Sequence, residues 1–191
     1  MQVNQLRREI SVKIVYYGPP YSGKTTNLER LFATIDPARR SQLTSMKNQE
    51  DRTLFFDYMQ IELGKIGGLT PRFNLYTVPG QVMYEATRHI VLRGADAVIF
   101  VADSGADRLP ENISSWQQLK KQLLALNPDP NAVPIIIQMN KRDVSNALPV
   151  MALKREMRIT TNVCIEAQAM NDIGTRETLK AAITSVLGNK G

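Results

Sequence analysis

Gly18-Pro19-Pro20-Tyr21-Ser22-Gly23-Lys24-Thr25 satisfies the pattern G-x-x-x-x-G-K-S/T at every fixed position. Ahead of it runs the β-branched stretch Ile10-Ser11-Val12-Lys13-Ile14-Val15-Tyr16-Tyr17. Behind it, Thr26-Asn27-Leu28-Glu29-Arg30-Leu31-Phe32 spaces Leu28, Leu31 and Phe32 as one face of a helix. Strand, glycine-rich loop and helix in that order are the context a phosphate-binding loop requires. Glycines let backbone N–H groups converge on an anion, and the helix start adds a partial positive charge. Gly18, Tyr21, Ser22, Gly23, Lys24, Thr25 and Thr26 are therefore the candidate phosphate-holding set, with Lys24 reaching the β and γ phosphates and Thr25 offering its hydroxyl to Mg²⁺.

A chain of 191 residues with 43% hydrophobic content suits one domain spanning 1–191, large enough to bury a core without staples. The single cysteine, Cys164, excludes an internal disulfide framework and reads as a buried structural thiol. The first residues lack a signal-peptide core, and no run approaches the length of a membrane span. The expectation is a cytoplasmic protein that reaches membranes only through partners. The 24 basic residues exceed the 18 acidic ones by six but are scattered in short pairs with no aromatic interleaving. Direct nucleic-acid binding is not expected from that pattern.

Along the chain, strand and helix patterns alternate without repeat or linker, the signature of an α/β fold. A long polar stretch, 35–52, follows the first helix, and loops of that length inside a domain are usually functional. Two extended runs, 53–63 and 72–78, flank the turn Gly64-Lys65-Ile66-Gly67-Gly68-Leu69-Thr70-Pro71 and read as a hairpin. Pro79-Gly80-Gln81 then breaks the chain before a helix over 84–92. Strands are expected over 95–102, 133–140 and 163–167, and helices over 110–126 and 175–187. Trp116 reads as a core residue of its helix.

A second constellation, Asn140-Lys141-Arg142-Asp143, stands where a buried strand ends, and ligands of parallel sheets bind at such ends. An ionised aspartate only accepts hydrogen bonds, so it pairs with a base edge offering two adjacent donors. Guanine offers N1–H and its 2-amino group. Asp143 would thus select guanine, Asn140 would orient the loop and bond the base edge, and the Lys141 stem would cover one ring face.

Taken together these residues resemble the Ras-like small GTPases. With Asp51-Arg52-Thr53-Leu54-Phe55-Phe56-Asp57 and Leu75-Tyr76-Thr77-Val78-Pro79-Gly80-Gln81, the chain is identified as similar to the MglA family, bacterial Ras-like GTPases of gliding motility and cell polarity. The resemblance covers nearly the whole chain. It implies a P-loop NTPase fold with a mixed, mostly parallel sheet of six or seven strands, helices on both faces and an antiparallel edge hairpin. It also implies a GTP/GDP switch with Mg²⁺, a roadblock-type GTPase-activating partner (MglB-like), state-dependent effectors, and recruitment to cell poles. On the same resemblance Thr53 senses the γ-phosphate and Mg²⁺, Gly80 gives its N–H to the γ-phosphate, and Gln81 orients the attacking water. Arg52 is an intrinsic arginine finger, and Ala169, in a degenerate fifth motif, offers its N–H to guanine O6.

The departure that matters is Thr77, which stands where Ras-like proteins carry an aspartate that helps hold the metal shell. A neutral hydroxyl does not replace that charge, so weakened Mg²⁺ binding is expected. A nucleotide-dependent scaffold with negligible hydrolysis and a small-molecule kinase are the alternatives, the latter leaving Asn140-Lys141-Arg142-Asp143 without a role.

Overall fold

The computed structural model describes residues 1–46, 56–65, 67–129 and 131–188. Its centre is an eight-stranded sheet in the order β3-β4-β5-β2-β6-β7-β8, with β1 paired to β2. The strands are β1 (Gln2–Asn4), β2 (Glu9–Tyr17), β3 (Thr44–Met46), β4 (Phe56–Glu62), β5 (Thr70–Thr77), β6 (Ala97–Asp103), β7 (Ile135–Asn140) and β8 (Cys164–Glu166). The helices are α1 (Lys24–Thr34), α2 (Glu85–Leu92), α3 (Leu109–Leu126), α4 (Val150–Glu156) and α5 (Thr175–Gly188). The five central and distal strands β5, β2, β6, β7 and β8 run parallel, whereas β3, β4 and β1 pair antiparallel. This is the mostly parallel Ras-like sheet with its edge hairpin.

Helices cover both faces, so the middle strands need apolar side chains on both sides. On β2 and β6, Ile14, Tyr16, Ile99 and Val101 pack with Leu28 and Leu31 of α1 and Leu179 and Val186 of α5. The alternate residues Val15, Tyr17, Val98 and Phe100 pack with Val91 of α2, Trp116 and Leu119 of α3 and Leu153 of α4. Trp116 is buried as expected, its ring edge-on to Phe100 at 5.2 Å. Each such fully buried aliphatic side chain contributes about 1.5–3 kcal/mol relative to exposure. Cys164, half-buried in β8, has its thiol pushed up by burial, as suits a structural residue.

Among the described residues the sheet has eight strands, of which β1 and β3, three residues each, were not expected from the sequence. Strand β3 lies inside the stretch read as a polar loop. Helix α4 also escaped the pattern, since its seven residues bury only Leu153. Among the described residues no helix is long and apolar enough to cross a membrane.

Candidate functional site

Strand β2 delivers the chain to the carboxyl ends of the parallel strands, and α1 begins at Lys24, so the eight-residue loop spans the gap between them. Gly23 has φ 101° and sits against the next motif: a Cβ there would lie 2.3 Å from the Asn140 carboxamide nitrogen. No side chain caps α1 at Gly23, which leaves the first N–H groups of the helix facing the loop. Lys24 is only 7% exposed and arches back over the loop, donating to the carbonyls of Gly18 at 3.0 Å and Pro19 at 2.6 Å. Burial pushes its ammonium down to about 7, the buried Arg88 guanidinium adds to that, and the Asp57 carboxylate opposes it. Such a lysine, poorly solvated and held over the loop by two carbonyls, is a strong partner for a polyanion.

Beside Lys24 a cavity of about 400 Å³ is lined by Thr25, Ser45, Asp57, Thr77, Gly80 and Gln81 among others. Its centre is Asp57. One carboxylate oxygen accepts from the hydroxyls of Thr25 at 2.7 Å and Thr77 at 2.9 Å, while the other accepts from Ser45 at 2.7 Å. The Asp57 backbone N–H in turn donates to the Thr77 hydroxyl. The cause is register: β4 and β5 pair Tyr58 with Tyr76, which sets Asp57 opposite Thr77 on the antiparallel hairpin. Sequence reading missed Asp57, because its pairing with Thr77 is set by the register of the two strands.

The Pro79-Gly80-Gln81 turn packs directly on the phosphate loop. A Cβ on Gly80 would lie 2.4 Å from the Pro20 nitrogen, so any side chain there would push the two loops apart. Gln81 is exposed at the cavity rim. Its carbonyl and that of Pro79 both accept from Arg88, whose other terminal nitrogen donates to Gln118 of α3 at 2.9 Å. Arg88 is 1% exposed, and its buried head ties the turn to α3, a contact no motif signalled. Arg52 and Thr53 lie outside the described residues.

At the other end of the loop, Asn140 closes β7 and is buried. Its amide nitrogen donates to the Ser22 carbonyl at 2.8 Å, and its oxygen accepts from the Ala169 N–H at 2.9 Å. One carboxamide thus joins the phosphate loop, the β7 end and the fifth motif. The Ala169 N–H, expected to face guanine O6, is directed to Asn140 here. Lys141 adopts φ 61° and donates from Nζ to Asp103 at 2.7 Å. Asp143 is exposed on the rim of a cavity of about 290 Å³ shared with Gly23, Thr26, Ala169 and Met170. Tyr21 lines both this cavity and the larger one, so the two lie on either side of the phosphate loop.

A reciprocal amide pair stiffens the frame. Asn27 of α1 and Gln138 of β7, both fully buried, exchange hydrogen bonds at 2.8 and 2.9 Å, and Gln138 donates on to Thr178 of α5. Buried polar groups satisfied in this way hold one arrangement, since breaking it strands a desolvated partner.

Residues 9–187 match the family model described as signal recognition particle receptor beta subunit. The chain is 42% identical over 185 residues to the mutual gliding-motility protein MglA of Myxococcus xanthus (strain DK1622), spanning 97% of this chain and 95% of that one. It is also 24% identical over 139 residues to the Ras-related protein RABG3c of Arabidopsis thaliana, spanning 72% of this chain and 61% of that one. At 42% identity over nearly its whole length, on a mostly parallel sheet with a glycine-rich loop opening α1, the chain belongs to the MglA family of Ras-like small GTPases.

Proposed function

We propose that this chain is a single-domain switch that binds GTP, hydrolyses it to GDP and phosphate, and engages effectors of cell polarity or gliding motility in one nucleotide state. The observation that carries this reading is Asn140, whose side chain bridges the phosphate loop at Ser22 and the fifth motif at Ala169. A kinase of small molecules has no use for that bridge, whereas a guanine-reading loop needs its base end set rigidly against its phosphate end. The base would enter the smaller cavity toward Asp143, with the Lys141 stem on its face, and the phosphates would run past Tyr21 to Lys24.

Mg²⁺ fits this site, because the Thr25 hydroxyl and the Asp57 carboxylate converge beside Lys24 and a hard cation favours oxygen ligands. Thr25 and Asp57 would hold it, with Thr53 as a further ligand on the family resemblance. When bound, the ion neutralises charge on the β and γ phosphates. Asp57 returns the charge that Thr77 lacks, which favours hydrolysis over the scaffold reading. Gly80, held against the phosphate loop, would present its N–H to the γ-phosphate. Gln81 at the rim would orient water, and Arg52 would deliver a transition-state charge when an activating partner is bound.

The partner that the family resemblance supports is a roadblock-type activator, with polarity or motility effectors downstream and a cytoplasmic site of action that extends to cell poles through partners. Equilibrium binding of GDP against ADP tests the nucleotide reading. Preference for GDP by a hundredfold or more is expected, and equal affinity would overturn it.

A further inference from the structure

Strand β6 is buried at every position and ends on Asp103, a carboxylate 3% exposed. An ionised carboxylate at that depth is costly unless it is paired and hydrogen-bonded. Its surroundings meet that need completely. The buried Asn112 side chain of α3 accepts from the Asp103 N–H at 3.0 Å and donates to its carbonyl at 2.7 Å, locking the backbone. One carboxylate oxygen accepts from the Gly105 N–H at 3.0 Å. The other accepts from Lys141 Nζ at 2.7 Å, and the Arg108 Nε lies 4.0 Å from it. Arg108 itself donates to the carbonyl of Pro20 in the phosphate loop at 3.1 Å and to Glu111 at 2.9 Å.

Asp103 therefore stands between the two halves of the nucleotide site. Its strand neighbour in register is Asn140, the residue before Lys141, so its position relative to the base loop is set by the sheet and not by a flexible segment. Lys141 has a left-handed backbone and a partly exposed side chain, and its ammonium is held by the Asp103 carboxylate. We propose that Asp103 is a positioning residue for guanine-nucleotide binding: it pins the head of Lys141 so that the stem lies along the base. This rests on the nucleotide reading above. The effect is to slow nucleotide release, because a stem already ordered loses less freedom when the base docks on it.

Asp103→Asn keeps the oxygen that accepts from Gly105 and turns an amide N–H₂ toward the Lys141 ammonium. Release of a fluorescent N-methylanthraniloyl GDP, chased with excess GDP, is expected to accelerate tenfold or more. In a Lys141→Met background the same substitution should change the rate by less than twofold, since the group through which Asp103 acts is gone. Asp103→Glu, which retains the charge one methylene further out, should accelerate release less than Asp103→Asn and provides the reading if the Asn variant does not fold. A merely structural role would lower the melting temperature alike in both backgrounds and accelerate release equally with and without Lys141. That additivity, or a release rate within twofold of the parent in Asp103→Asn, overturns the proposal. Failure of the parent protein to bind the fluorescent GDP at all would instead remove the nucleotide reading beneath it.

Discussion

The Asp57 carboxylate and the Thr25 hydroxyl meet at 2.7 Å, joining the antiparallel hairpin to the first turn of the helix that follows the phosphate loop. Thr77 shares the same carboxylate oxygen at 2.9 Å. The negative charge missing from β5 is thus present beside Thr77, carried by the residue opposite it on the neighbouring strand. Asp57→Asn should shift the Mg²⁺ midpoint for nucleotide retention upward by roughly tenfold or more, a change of about 1.4 kcal/mol. Exchanging the two residues, Asp57→Asn with Thr77→Asp, should recover most of that loss. Thr77→Asp alone would crowd two carboxylates and hold one of them protonated. A Mg²⁺ titration of GDP release reads all three variants, and an unmoved midpoint in Asp57→Asn would take Asp57 out of the metal's surroundings.

Lys24 makes binding pH-dependent. Its ammonium lies at about 7 in the free protein against an ordinary 10.5, so near pH 8 most molecules carry it neutral. A bound polyphosphate favours the charged form, and binding should then draw in close to one proton. Affinity should fall as pH rises above 7. For the free protein the sign is opposite: the unfolded chain binds more protons between about 7 and 10.5, so this group makes stability rise with pH across that window and contributes nothing favourable below it. Calorimetry at pH 8 in buffers of different ionisation enthalpy measures the uptake. Zero uptake would contradict the buried, lowered state of Lys24, and Lys24→Ala should abolish tight triphosphate binding.

On the proposed function, guanine selectivity would rest on Asp143, exposed on the rim of the smaller cavity. Asp143→Asn replaces an acceptor oxygen with a donor, which should cost about 2–4 kcal/mol of GTP affinity while xanthosine nucleotides gain. Competition binding with GTP and XTP checks both directions. Unaltered GTP affinity in the variant would place the base elsewhere.

The motifs that needed only local spacing were legible in sequence. The phosphate loop, Asn140-Lys141-Arg142-Asp143 and the turn at Gly80 all appear where strand ends meet loops, because their chemistry depends on consecutive residues. Asp57 was not legible, since its role depends on pairing across the hairpin, and register across a turn containing three glycines is weakly specified by pattern alone. Arg88 was hidden for a different reason: it shares the buried face of α2 with Val91 and Leu92, where a charged residue carries no local signal of the backbone carbonyls of Pro79 and Gln81 that the tertiary fold brings to it. Short elements such as β1, β3 and α4 carry too few residues for a period to show.

Arg52 lies outside the described residues, and the catalytic role proposed for it rests on the family resemblance. An arginine finger stabilises charge that develops in the transition state, so Arg52→Ala should lower activator-stimulated turnover by roughly 10²-fold or more and leave nucleotide affinity nearly unchanged. Arg52→Lys should rescue poorly, as a point charge lacks the planar fork. Stimulated turnover within about threefold of the parent in Arg52→Ala, under about 0.7 kcal/mol, would return this arginine to the solvated surface.

The central claim is that the chain hydrolyses GTP as a regulated switch, and single-turnover release of γ-phosphate from preloaded GTP addresses it most directly. The parent protein should release phosphate slowly alone and at least roughly 10²-fold faster with a roadblock-type activator. Asp57→Asn should be slow under both conditions at limiting Mg²⁺. GTP that stays intact in the parent protein with and without the activator, while remaining tightly bound, would contradict the hydrolytic switch and leave a nucleotide-dependent scaffold in its place.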